Sequence, residues 1–230
     1  MNTISSLVSI PILILSGQNN HDWQKTTPAL EKIFSESGRF TVTVTNRPDT
    51  LKYADYKKFS LVVSNWNSWP DTSTGWDQSK ERAFTRYVRE GGGALFLHAG
   101  GSSFYSWPEY HAMSIGRWGA KTSHGAIGQA RVIITDKKHP VTKGLSDFSI
   151  TDEIWENTDI HPSTNALATV RKLSPDGTTE PGEYPAILVS RFGRGRTFYT
   201  ILGHDEKTLA NPDLQKLLIN AAGWAAHKGK

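Results

Sequence analysis

Cysteine is absent from the 230-residue chain, and that one absence removes disulfides, thiolate metal sites and a cysteine nucleophile together. Other features are missing too. No apolar run is long enough to span a bilayer, no Lys or Arg precedes Lys25, and Pro11 interrupts the first apolar segment, MNTISSLVSIPILILSGQ. That segment does not read as a secretion signal, so a cytoplasmic location is expected, with an exported form left open. There is no HExxH, CxxC, GxSxG or P-loop. Spacers, repeats and heptads are lacking as well, and with 37% hydrophobic and 21% charged residues the chain reads as a single domain over residues 1–230. The net charge of +4 comes from 26 basic residues scattered among 22 acidic ones. The basic clusters YKKF, RFGRGR and HKGK are short and form no stripe, so neither nucleic acid nor a membrane is an expected partner.

What is present alternates. PILILSG reads as a first core strand, and a helix follows with Thr27-Pro28 as cap and first-turn proline and with Leu30, Ile33 and Phe34 on one face. RFTVTVT is a second strand, LKYADYKKF a short helical candidate and SLVVSNW a third, buried strand. DQSKERAFTRYVREGGG reads as a helix stopped at Gly91, and GALFLH as a fourth strand ending at His98. This order predicts an α/β fold, a doubly wound and mainly parallel sheet. In the C-terminal half ARVIITD and ALATVRKL look like strands, and PAILVSRFGRGRTFYTILGHD predicts an antiparallel hairpin turning at Gly193-Arg194-Gly195. Asn211-Pro212 caps a last helix whose buried face carries Leu214, Leu217, Leu218, Ala221 and Ala225.

Ligands of open α/β sheets bind beyond the carboxyl ends of the strands. His21 follows the first strand, Asn65 and Trp66 end the third, His98 ends the fourth and enters a small-residue turn with Ser102, and His204-Asp205 follow the hairpin. If the first, third and fourth strands are neighbours, these residues share one rim. His124 lies in TSHGAIG, and Asp152-Glu153 lie beside Trp155 in SITDEIW. In an extended segment only one of the two carboxylates points inward, and Glu153 is favoured, with Asp152 as a solvent or capping group.

Histidines and a carboxylate on loops are what acid-base catalysis or a divalent metal needs, so His98, His124, Glu153 and His204 are the catalytic candidates. His98, His124 and His204 are the candidate ligands of a metal such as zinc. His21, Asn65, Trp66, Ser102, Trp107, Asp152, Trp155 and Asp205 are candidates for substrate contact. Eight tryptophans, of which Trp23, Trp66, Trp69, Trp107 and Trp155 fall in predicted loops, suit the apolar faces of sugar rings, although tryptophan also anchors loops and cores. His111 and His139 read as structural, and His161 and His227 carry no site argument.

The ordered set GGGALFLHAGG, WPEYHAMSIGRWG, SHG, ITDKKHPVTKGL, TDEIW, FGRGRTFYTILGH and the final helix near GWAA resembles the trehalose-utilisation ThuA-like family, from about Ile12 to Ala226. The resemblance implies the class I glutamine amidotransferase-like fold, a flavodoxin-like α/β sandwich. Where amidotransferases of that fold present a catalytic cysteine, this chain has LHAGGS, so thiol-based glutamine hydrolysis is excluded. The family links the chain to glycoside utilisation without fixing a reaction. Two expectations follow. One is an enzyme acting on a glycoside or oxidised (keto) sugar by histidine and carboxylate chemistry, with or without a metal. The other is a non-catalytic carbohydrate-binding or regulatory domain. Either takes a small-molecule carbohydrate as partner, and a homo-oligomer is left open.

Overall fold

A computed structural model describes residues 9–71 and 75–226, so the whole HKGK cluster, His227 included, lies outside the described residues. The apolar runs become the centre of one sheet. β1 (Ile10–Leu15), β3 (Leu61–Ser64) and β4 (Gly93–Leu97) are almost wholly buried, as expected of parallel strands covered on both faces. With β2 (Phe40–Thr45), β7 (Gly128–Ile134), β8 (Phe148–Asp152), β11 (Asn165–Lys172), β12 (Tyr184–Phe192) and β13 (Gly195–Thr200) they form a nine-stranded sheet in the order β2-β1-β3-β4-β13-β12-β11-β7-β8. Pairing is parallel from β2 to β13 and antiparallel from β13 to β8.

Direction follows from this pairing. β1, β3, β4 and β13 all end at one rim, and four further antiparallel steps bring β8 back to the same sense. The ends of β1, β3, β4, β13 and β8 therefore carry His21, Asn65, His98, His204 and Glu153. Two small ladders hold the loops above that rim: β5 (Gly116–Arg117) with β10 (Asp159–Ile160), and β6 (Ser123–His124) with β9 (Trp155–Glu156).

Helices cover both faces. On β4, Phe96 meets Phe84 of α3 (Gln78–Arg89) and Tyr110 of α4 (Pro108–Ser114). Gly93, on the opposite face, lets the backbone of α6 (Pro212–Ala226) approach so closely that an added Cβ would lie 2.4 Å from the Ala225 carbonyl oxygen. α1 (Trp23–Glu36) and the single turn α5 (Glu206–Leu209) pack with α6, and the short α2 (Tyr53–Tyr56) packs with α3. Asn211 caps α6 through its side-chain oxygen, which accepts from the amides of Asp213 and Leu214. No helix among the described residues is long and apolar enough to cross a membrane.

Two local expectations need correction. The first helix begins at Trp23, not at Thr27-Pro28, so Pro28 sits inside it. The proline forfeits a single ladder bond early in the helix. That leaves Thr27 buried, with its hydroxyl 2.7 Å from Ser16 and accepting from Asn65. The hairpin turns at Gly193-Arg194, because Gly195 already pairs with Phe192 in β13. Gly193 has φ +60°, whereas Gly195 is needed for space, since a Cβ there would lie 2.3 Å from the Val88 carbonyl oxygen.

Candidate active site

The site is assembled around one carboxylate. Glu153, one residue beyond β8, is 9% exposed, and its Oε1 accepts from the Trp155 indole at 3.0 Å. His98 Nε2 and His204 Nδ1 each lie 3.5 Å from the same oxygen, and His124 Nδ1 lies 3.3 Å from Oε2. Burial alone would raise this carboxyl's pKa, but the His204 and His98 imidazoles beside it outweigh burial and hold the group well below the usual range. Glu153 is therefore an anion set among imidazoles.

Backbone acceptors and side chains fix which nitrogen of each ring faces the centre. His98 Nδ1 lies 2.5 Å from the Ile201 carbonyl, which can only accept, so Nδ1 carries a proton, and in the neutral ring Nε2 presents a lone pair. The residue itself has φ +44°, a left-handed conformation that costs a histidine about 1–3 kcal/mol and turns its ring back over the rim. His21 Nδ1 donates to Asn19 Oδ1 at 3.1 Å, an oxygen that also accepts the His21 amide and the Asn67 side-chain amide. Burial, then the neighbouring His98 and His204, push the His21 pKa down to about 3, so it is neutral. His204 moves the other way: its hydrogen bond to Glu153 raises its pKa against a smaller burial effect.

Asp152 does different work from its neighbour. It is 1% exposed and accepts from the amides of Gly203, His204 and Glu153 and from the Thr208 hydroxyl. Burial is the largest influence and raises its pKa, against His98 and those amides. It thus ties the end of β8 to the loop after β13, which is how His204 reaches Glu153. Both carboxylates are buried. Their division is between a pocket anion and an internal cap, and no part of Asp152 reaches solvent as a pocket wall.

Above this floor lies a cavity of about 300 Å³ lined by Asn20, His21, Trp69, Ala99, Ser102, Trp118, His124, Glu153, Trp155 and His204. The β6–β9 ladder sets His124 opposite Trp155, and the Trp118 ring packs against both. The Ser102 hydroxyl accepts the Trp118 amide at 2.9 Å, so this serine holds a wall as well as facing the cavity. The glycines of the HAGG turn serve close packing: a Cβ at Gly100 or Gly101 would lie 2.2 or 2.1 Å from the carbonyl oxygens of Ser64 or Gly116.

The structure thus brings His21, His98, Ser102, His124, Glu153, Trp155 and His204 to one place. Besides Asp152, four of the substrate-contact candidates lie elsewhere. Asn65 is buried and donates to the hydroxyls of Thr26 and Thr27, fastening α1 to the end of β3. Trp66 stacks on Phe104 with ring centres 5.0 Å apart, and Trp107 packs on Phe104 and Tyr110, both within an apolar cluster. Asp205 caps α5 by accepting from the Thr208 amide. The candidate metal trio is also regrouped. His21, His98, Glu153 and His204 offer donor atoms within 4.8 Å of one another, whereas the more exposed His124 stands on the far oxygen of Glu153. Sequence reasoning missed Trp118 and the Asn19–Asn67 relay behind His21. Trp118 carried a signal, as a tryptophan in the same loop-rich stretch as His124; the relay carried none.

A family model described as trehalose utilisation matches residues 11–225. The chain belongs to the ThuA family. A ThuA-like protein from Parabacteroides merdae is 26% identical, with a TM-score of 0.81 over 95% of this chain and 90% of that one. A ThuA-like protein from Bacteroides uniformis is 19% identical, with a TM-score of 0.72 over 100% of this chain and 96% of that one. A glutamine amidotransferase from Thermotoga maritima, 11% identical, superposes with a TM-score of 0.58 over 95% of this chain and 98% of that one. The ThuA-family chain therefore has the glutamine amidotransferase-like α/β fold. No curated protein matches it.

Proposed function

We propose that this ThuA-family protein is an enzyme of carbohydrate utilisation that acts on an oxidised, keto form of a glycoside by moving protons between imidazole and sugar. The observation that carries this reading is the single ionised carboxylate held between His204 on one oxygen and His124 on the other, under three indole rings. Direct glycoside hydrolysis ordinarily uses two carboxyl groups flanking the bond, one to protonate and one to attack or activate water. Among the described residues lining the cavity, Glu153 is the only carboxylate, and Asp152 and Asp205 are committed to backbone amides.

A ring carbonyl changes what is needed. It acidifies the neighbouring C–H, so a base removing that proton lets the electron pair form a C=C bond while the glycosidic C–O bond, one carbon further on, breaks. The leaving oxygen then needs a proton, which the imidazolium formed at the base returns. His124 suits the base: its Nδ1 points to the Gly125 carbonyl at 2.9 Å and to Glu153, which leaves Nε2 free at the cavity mouth. The His204 side of Glu153, where the pKa is raised, suits the group that supplies positive charge to the oxygens. Trp118, Trp155 and Trp69 provide apolar walls for the ring faces, and Asn20 and Ser102 face the hydroxyls.

The test is a panel of glucosides, trehalose among them, each offered before and after oxidation of one ring hydroxyl to a carbonyl, with release of free sugar followed. Turnover of oxidised members only, lost in His124→Ala with an unchanged melting temperature, supports the reading. Binding of sugar without turnover of any member overturns it in favour of a carbohydrate-binding domain.

A further inference from the structure

We infer that His21, His98, His204 and Glu153 form a binding site for one divalent cation of the zinc class at the floor of the cavity. The geometry comes first. His98 Nε2, His204 Nδ1 and Glu153 Oε1 form a nearly equilateral triangle with edges of 3.3, 3.5 and 3.5 Å. Ligands about 2.0–2.1 Å from a tetrahedral zinc stand about 3.3–3.4 Å apart, so three corners of such a tetrahedron are already in place. His21 supplies the fourth donor, within 4.8 Å of the other three, and its ring stands edge-on to those of His98 and His204.

The proton count points the same way. Nδ1 of His98 and of His21 are each spent on an acceptor, so both rings turn a lone pair toward the cluster. Glu153 Oε1 is an acceptor as well, and the Trp155 indole supplies one hydrogen to it. One imidazole proton on His204 is then left to serve three converging acceptors. Converging lone pairs repel unless a cation lies among them, and a cation takes all four donors at once. Outer partners complete the pattern: a carbonyl orients His98, and Asn19, itself held by Asn67, orients His21, as is usual for histidine ligands. Three imidazoles and one carboxylate suit zinc, cobalt or nickel. Magnesium and calcium prefer all-oxygen sites.

The inference deepens the proposed function by placing the positive charge of the His204 side on a cation, but binding is measured without substrate and stands or falls alone. The full chain is stripped with chelator and titrated with zinc chloride, with bound metal counted by mass spectrometry and the melting temperature recorded. The wild type is expected to take up one equivalent and to melt higher with zinc, and magnesium chloride to do neither. His21→Ala and His204→Gln are expected to lose the uptake and the shift. Asn19→Ala, which touches no metal, is expected to weaken binding by about 10–100-fold, while His124→Ala binds as the wild type does. Absence of stoichiometric uptake by the folded wild type overturns the inference, as does His21→Ala binding as tightly as the wild type or His124→Ala losing as much as His204→Gln. If zinc binds and no sugar is turned over, the site stands and the proposed function falls.

Discussion

Two aromatic regions lie within one molecule and differ in what their rings touch. Under α3 and α4, Trp66, Trp76, Phe84, Phe104, Trp107 and Tyr110 are each no more than 7% exposed and pack ring on ring at 4.8–6.4 Å. Over the rim, Trp69, Trp118 and Trp155 pack on one another and on His98 and His124, and Trp155 donates to Glu153. The buried Trp76 indole nitrogen has no acceptor among the described residues. A tryptophan in the first region is a volume; in the second it is a wall with polar neighbours. Both regions are written in the same loop-like stretches of sequence, so only the partners separate them.

The sharpest way to break the comparison is to empty one region and read the other. Trp107→Ala is expected to cost about 3–5 kcal/mol of folding stability by denaturant titration, while sugar binding by the remaining folded protein is unchanged. Lost binding at full stability would put Trp107 in the site after all.

Asp152→Asn comes next. An amide cannot replace two acceptor oxygens serving three backbone amides and a hydroxyl, so a stability loss of about 1–3 kcal/mol is expected, together with slower turnover because His204 is no longer tied down. Wild-type stability in this variant would remove Asp152 from the structural role.

Trp118→Ala should do the reverse of Trp107→Ala. It is expected to weaken sugar binding by about tenfold, the scale of an aromatic contact, with a small change in melting temperature.

The smallest effect is on pH dependence. Unfolded His21 takes a proton near 6.5, and folded His21 only near 3, so its share of stability is present above about pH 6.5 and is lost progressively as pH falls toward 3. His204, with a raised pKa, acts in another window, its share being full below about 6.5 and lost as pH rises through its folded value. Glu153 matters below about 4.5, where an unfolded carboxyl starts to bind protons. Between pH 6.5 and 5, metal-free wild type is therefore expected to lose stability more steeply than His21→Gln. Equal slopes would mean that His21 is not held neutral by its surroundings.

How much was legible follows the same divide. The rim was readable because β1, β3 and β4 are short, mainly apolar runs, and each hands a polar residue to the next turn. The start of α1 was not, because Thr27-Pro28 carries a strong cap signal that the chain uses for a buried hydroxyl instead. β8 is too short for its alternation to stand out, and two-residue ladders such as β6–β9 have no period at all, so nothing in the sequence joined His124 to Glu153. The same holds for Asn19 and Asn67, which meet only through side-chain hydrogen bonds across 48 positions.

The most direct test of the account is the rate at which Glu153→Gln turns over an oxidised glucoside, measured beside its melting temperature. Glutamine keeps the shape and removes the charge that sets both imidazoles. A fall of about 10²–10⁴-fold with a fold that still melts cooperatively is the predicted result. Turnover equal to the wild type would contradict the claim that this carboxylate is the centre of the chemistry.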